Sequence, residues 1–233
     1  MVIAEERTPE TTIETLTNSE FQGNASLVEN CRCLLAEFYR DPDVPLQYAT
    51  ARESTHVYVR RPMRNASPTG FFFAQMPETI CASLPLVVYM GLVVVRRSLA
   101  EKGTARRLVT TFLREVRETV GPDTDVLAWY RTATPFGLFP ARALLRDGFP
   151  SEEGAVSERA LAALRELRLA RGIPESLPSD HPFVVRGYAQ ARFNEAETEF
   201  IAAYRQSRGQ DLLQRLSVNE SRGDRLLMFG YVP

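Results

Sequence analysis

The stretch LVVVRRSLAEKGTARRLVTTFL, residues 92–113, joins a run of valines to a basic, small-residue segment and then to a helical repeat. The apolar run begins upstream at Leu84, as LPLVVYMGLVVV, and is continuous rather than alternating. That pattern is expected of a central strand covered on both faces. Gly91 interrupts it, and a glycine inside a strand marks a bulge or a close backbone approach. From Thr104 to Val120 the period changes. Leu108, Phe112, Val116 and Val120 recur at every fourth position among Arg106, Arg107, Arg114 and Glu118, which predicts an amphipathic helix. Between strand and helix, Lys102, the only lysine in the chain, stands beside Gly103 and Ala105. A strand that turns directly into a helix gathers unpaired N–H groups and the positive end of a helix dipole at one place. Small residues there let phosphate oxygens reach the main chain, and Lys102, Arg106, Arg96 and Arg97 add charge. The segment is therefore a candidate anion site, although an ordinary solvated turn has the same composition. The Walker pattern fails because the glycine it needs falls at Arg96, and GxGxxG is absent.

Working outward, TTIETLT (11–17), THVYVRR (55–61) and GFFFAQM (70–76) are strand candidates. The prolines, Asn65 and Ser67 of PMRNASPT suit a hairpin loop between the last two. A helix capped by Ser26 is expected to run to about Arg40 and to stop at DPDVP. DVLAWY (125–130) is a second buried strand, followed by a short helix from about Pro140 to Arg146 ending at Asp147-Gly148. A capped helix follows Ser157 and ends at Gly172, and HPFVVRGYAQ (181–190) is a strand candidate. Residues 194–216 form one helix or two broken at Gly209, and RLLMFGYV (225–232) is a closing strand. The order predicts one α/β (α+β) domain, antiparallel strands first and a parallel addition later. Residues 1–10 are expected to fray.

The 233 residues carry a net charge of −1, 44% hydrophobic and 24% charged side chains, the values of an ordinary globular chain rather than a nucleic-acid binder. Cys31, Cys33 and Cys81 form no CxxC pair and His56 and His181 are the only histidines, so no metal site is expected. The cysteine pattern suits a reducing compartment. The first twenty residues lack a signal-peptide pattern, and the longest apolar run is too short to span a bilayer, so a cytoplasmic protein is expected. The arginine bias fits a GC-rich bacterial genome.

Residues 92–113 resemble motif A of the GNAT superfamily, the acyl-CoA-dependent N-acyltransferases. Val95 falls on the valine that ends the family's strand, Gly103 and Ala105 on the two small positions of its [QR]xxGx[GA] loop, and Leu108 on the next buried helix position. Ala100 stands where the family has glutamine or arginine. ARALLRDGF (141–149) resembles motif B, and TGFFFAQ (69–75) the preceding strand. The resemblance covers about residues 50–150. It implies a mixed, mostly antiparallel sheet flanked by helices, an acyl-CoA-binding core over 1–150, and an extension over 151–233 completing the same domain.

What the resemblance implies for chemistry is an acyl transfer from acetyl-CoA or another acyl-CoA to the amine of a small acceptor. Main chain near Val93 and Val95 would hold the pantetheine arm, and the amides of Glu101, Lys102, Gly103, Thr104, Ala105 and Arg106 the pyrophosphate. A backbone N–H near Val95 would polarise the thioester. The family's proton-donating tyrosine position is Leu144 here, which leaves Tyr130 or Thr132 as substitutes. Glu78 is the candidate base, directly or through an ordered water. Two alternatives keep the fold: an acyl-carrier protein as donor, docked by Arg96, Arg97, Arg106 and Arg107, or a non-catalytic protein that binds acyl-CoA or a partner. No nucleic acid or membrane is expected as partner, and RLLMFGYV is a candidate for strand pairing in a homodimer.

Overall fold

The computed structural model describes residues 12–51, 54–63, 66–98 and 101–233. The expected frayed N-terminus, Asn65 and Ala100 lie outside them. The elements in order are β1 (Thr12–Thr17), α1 (Asn18–Gly23), α2 (Ala25–Ala36), α3 (Asp43–Ala51), β2 (His56–Arg61), β3 (Gly70–Glu78), β4 (Leu86–Val95) and α4 (Thr104–Val120). Then come β5 (Val126–Thr132), a 3₁₀ turn over Pro135–Leu138, α5 (Phe139–Ala143), β6 (Arg146–Phe149) and α6 (Glu158–Arg171). The chain closes with β7 (Val184–Val185), α7 (Glu195–Arg208), α8 (Leu212–Arg215) and β8 (Arg225–Tyr231). One sheet runs in the order β1-β2-β3-β4-β5-β8-β6, with β7 also on β8. The β4–β5 pair is parallel and the other pairs are antiparallel.

The strand periodicity sorts the core into two faces. Phe72 and Tyr58 meet Phe112 of α4, with ring centroids 5.5 and 5.8 Å away. Leu108, Phe112 and Val116 of α4 are fully buried there, each contributing about 1.5–3 kcal/mol. Phe71 and Phe73 point the other way, into a second cluster with Phe21, Leu27, Cys31, Leu34 and Leu35 of α1 and α2. The phenylalanine triplet thus packs both faces of β3.

Several boundaries differ from expectation. DPDVP does not end a helical region but opens α3: Pro45 sits in its first turn, where a missing N–H costs nothing. Asn24, not Ser26, caps α2 by accepting from the Leu27 amide at 3.0 Å. Arg146–Phe149 is a strand on β8 rather than a helix end, with Asp147 at φ 49° beside a register shift. HPFVVRGYAQ contributes only Val184–Val185, since Gly187 turns the chain at φ 60°. The closing strand β8 is inserted between β5 and β6, so the homodimer pairing expected of RLLMFGYV has no free edge there.

Candidate functional site

Two irregularities shape β4. Phe72 lies opposite Val93 and Ala74 opposite Met90, so Phe73 alone faces Gly91 and Leu92. This is a β-bulge, which bends the strand. A Cβ at Gly91 would stand 2.7 Å from the Phe73 carbonyl oxygen, which is why only glycine fits. On its other side β4 pairs with β5 only from Leu86↔Val126 to Tyr89↔Trp129. Beyond that pair β4 bonds to β3 alone and β5 to β8 alone. The two parallel strands therefore splay into a V whose apex is Tyr89–Trp129, and the inner edge of β4 from Met90 to Val95 has no strand partner among the described residues.

The turn stands at the open end of this V. Gly103 precedes α4 at φ 81°, with no side-chain cap. The amides of Thr104, Ala105 and Arg106 have no acceptor among the described residues, and the first to find one is Arg107, on the Gly103 carbonyl at 3.0 Å. Lys102, Gly103, Ala105 and Arg106 are exposed, and a Cβ at Gly103 would meet nothing within 4 Å. The helix thus points an uncapped, positive N-terminus at solvent. Glu101 is turned inward instead. Its amide bonds to the Ser98 carbonyl, and its carboxylate takes the buried Arg60 guanidinium and the Thr104 hydroxyl. Arg60 also bonds to Thr69, at 2.6 Å, and Arg107 to Thr104, at 3.0 Å. This buried network ties the turn to β2. Gly70 lets β3 tuck beneath it, since a Cβ there would be 3.1 Å from Val95 Cγ2.

At the apex, on the face of α1–α3, Arg131 donates to the phenol oxygens of Tyr89 (2.5 Å) and Tyr188 (2.7 Å). Its guanidinium carbon also lies 5.0–5.7 Å from the ring centroids of Tyr188, Tyr89 and Trp129. This polar cluster was not foreseen as a unit, because Tyr89, Arg131 and Tyr188 come from three separate segments. Glu78 lies opposite Val87, on the closed side of the apex, in an ion pair with Arg171 that also reaches Gln75 at 3.3 Å. Tyr130 projects to the opposite face and is nearly buried. The Thr132 hydroxyl is engaged on both sides, donating to the Thr134 carbonyl and accepting from its amide, each at 3.1 Å. Leu144 is buried in the main core.

Helix α7 crosses the open end. Arg97, just beyond β4, pairs with the buried Glu197, and its guanidinium lies 3.6 Å from the Phe200 ring centroid. Phe200 also meets Phe136, just beyond β5, at 5.7 Å. Burial raises the Glu197 carboxyl above its ordinary range, against the pull of Arg97. The groups ordinarily needed for a metal centre do not gather: no cluster of three His, Cys, Asp or Glu exists among the described residues. No described helix is long and apolar enough to cross a membrane.

No family model and no curated protein matches the chain. Solved structures similar to it are N-acetyltransferases. YhbS, a GNAT family N-acetyltransferase from Escherichia coli in complex with CoA, is 14% identical over 57% of this chain and 68% of that one, at a TM-score of 0.40. The ribosomal-protein-S18-alanine N-acetyltransferase from Escherichia coli is 11% identical over 95% of this chain and 94% of that one, at 0.43. An aminoglycoside acetyltransferase, meta-AAC0020, from an uncultured soil metagenomic sample in complex with sisomicin, is 14% identical over 57% and 86%, at 0.39. These likenesses are loose, and the functional reading rests on the geometry of the V and the turn.

Proposed function

We propose that the chain is a GNAT-type acyltransferase moving an acyl group from acyl-CoA to the amine of a small acceptor. The observation that carries this is the end of β4–β5 pairing at Tyr89–Trp129, directly beside the uncapped N-terminus of α4. An unpartnered strand edge accepts an amide-bearing arm as an added strand would, which suits the two amides of pantetheine. The amides of Thr104–Arg106 with Lys102 and Arg106 suit a diphosphate, and the inward Glu101 contributes by holding the turn rather than by touching ligand. A main-chain N–H on the Val93–Val95 edge would polarise the thioester carbonyl.

Proton transfer is assigned from placement. Leu144 cannot donate, and the hydroxyl of Thr132 is occupied in its own turn. Tyr130 retains a hydroxyl near the gap but on the opposite face. Tyr89 stands at the apex itself, and the guanidinium donating to its oxygen stabilises the phenolate left after proton donation, so it is the favoured acid for the departing thiolate. Glu78 lies beyond the apex and would act as base through a water. The buried Leu144 favours one second reading, a protein that binds acyl-CoA without catalysis.

Both readings require CoA to stabilise the fold. At a hundredfold excess over Kd the gain is about 2.7 kcal/mol, or about 5–10 °C in Tm for a chain of this size. No shift with CoA refutes both. Thiol release from acetyl-CoA in the presence of an amine panel separates them.

A further inference from the structure

Residues after Phe149 complete the sheet, but α7 also ends against the segment Pro135–Arg142. Between them lies a cleft of about 380 Å³, whose lining includes Leu138, Arg142, Tyr204, Arg205, Arg208 and Arg215. That volume lies within the range of small-ligand sites. One wall is aromatic: the Tyr204 ring is 4.7 Å from that of Phe136, at 59°. The opposing charges are unequal. Arg142 pairs with Glu152 at 3.0 Å and Arg205 with Asp211 at 3.0 Å, while Glu153 is held at the rim by Ser151. Arg215 donates only to the Glu152 carbonyl, and Arg208 has no acidic partner among the described residues. Arg205 Nη2 is buried without a hydrogen-bond partner.

A flat ring beside guanidiniums with unused donors suits a ligand carrying both a heteroaromatic ring and a phosphate. The cleft is continuous with the phosphate turn. Phe139, in the same Pro135–Arg142 segment, lies under the Arg106 guanidinium with its centroid 6.0 Å away, and Arg142 follows one helical turn later. We propose that this cleft, walled by the C-terminal helix α7, receives the adenine and ribose-phosphate end of the acyl-CoA. Tyr204 takes the base, and Arg205 and Arg208 take the 3′-phosphate. The proposal rests on the acyl-CoA reading above and makes α7 the element that selects a nucleotide-bearing donor. An acyl-carrier protein, whose phosphopantetheine lacks the nucleotide, gains nothing from it.

The test is calorimetric titration of the full chain and of Arg208→Ala with CoA, 3′-dephospho-CoA and 4′-phosphopantetheine. Arg208 is exposed, so its removal leaves folding intact. The wild type is expected to bind CoA about tenfold tighter than dephospho-CoA, and Arg208→Ala to erase that ratio while leaving dephospho-CoA affinity unchanged. Equal affinities of the wild type for CoA and dephospho-CoA, or an Arg208→Ala loss shared by both, would overturn the cleft assignment and leave the reading of the turn standing. Phosphopantetheine binding as tightly as CoA does the same. Absence of CoA binding altogether overturns the acyl-CoA reading and this inference with it.

Discussion

Gly103 gives the sharpest handle on the turn, because its backbone and its surroundings can be perturbed separately. It holds φ 81° and ψ −1°, a left-handed conformation that asparagine and aspartate tolerate better than other side-chain-bearing residues. A Cβ there meets nothing within 4 Å, so neither residue clashes. Gly103→Asn and Gly103→Asp should therefore lose similar stability, about 1 kcal/mol each. They differ in one charge. With a diphosphate carrying about two negative charges at about 5 Å, the repulsion is about 2 kcal/mol in a water-like dielectric and about 6 kcal/mol at an effective value of ~20. Gly103→Asp should thus bind CoA at least about thirtyfold more weakly than Gly103→Asn. Isothermal titration at low ionic strength reads this ratio directly, and it should shrink toward unity at 1 M salt, where the screening length is about 3 Å. Two variants that bind CoA alike at low salt would refute the placement of a diphosphate at this turn, whatever either does to stability.

Three further outcomes are expected. Glu101→Ala leaves Arg60 buried without its carboxylate and should cost about 3–5 kcal/mol in urea unfolding, with the Arg60→Met, Glu101→Leu double variant losing less than the single one; a single-variant cost below about 1 kcal/mol would contradict the burial of the pair. Tyr89→Phe should lower kcat about a hundredfold or more with KM little changed, measured by thiol release with an acceptor from the amine panel; an unchanged kcat removes Tyr89 as the acid. Burial alone would raise the Asp224 carboxyl, but hydrogen bonds from Arg186, Asn219 and Gly187 outweigh it and hold the group below its ordinary 3.8. Its stabilisation is accordingly present above that value and lost as pH falls through the lower folded value, and Asp224→Asn should flatten the acid limb of a stability–pH curve.

The elements legible in the sequence were those whose own residues decide them. The four-residue repeat from Leu108 to Val120 sets α4, because burial of one stripe against the sheet needs no information from elsewhere. The run to Val95 likewise sets β4, and Gly91 announced its bulge. What was not legible depends on partners remote in sequence. RDGF is too short and too polar to announce a strand, and becomes one because β8 arrives beside it from about eighty residues further on. DPDVP has the composition of a helix stop and of a helix start alike, and only packing of Leu46 and Ala49 against α1 and α2 decides for the latter. The apex cluster is the same case in the site: a tyrosine in β4, an arginine in β5 and a tyrosine after β7 carry no mutual spacing signal.

That contrast also explains how the C-terminal third comes to bear on the site. A V between parallel strands is open on both sides of the sheet, and the splay leaves β5 with only one neighbour beyond Trp129. Insertion of β8 along the full length of β5, from Leu127↔Tyr231 to Thr132↔Leu226, supplies that neighbour and holds β5 away from β4. The segment leading to β8 must then pass the open end, and it does so as α7. There Phe200 packs between the residue after β4 that pairs with Glu197 and the aromatic that follows β5. The strand that keeps the V apart and the helix that crosses its mouth are consequences of one chain path, so substitutions that loosen α7, such as Phe200→Ala, act on access to the cleft rather than on the pairing that forms it.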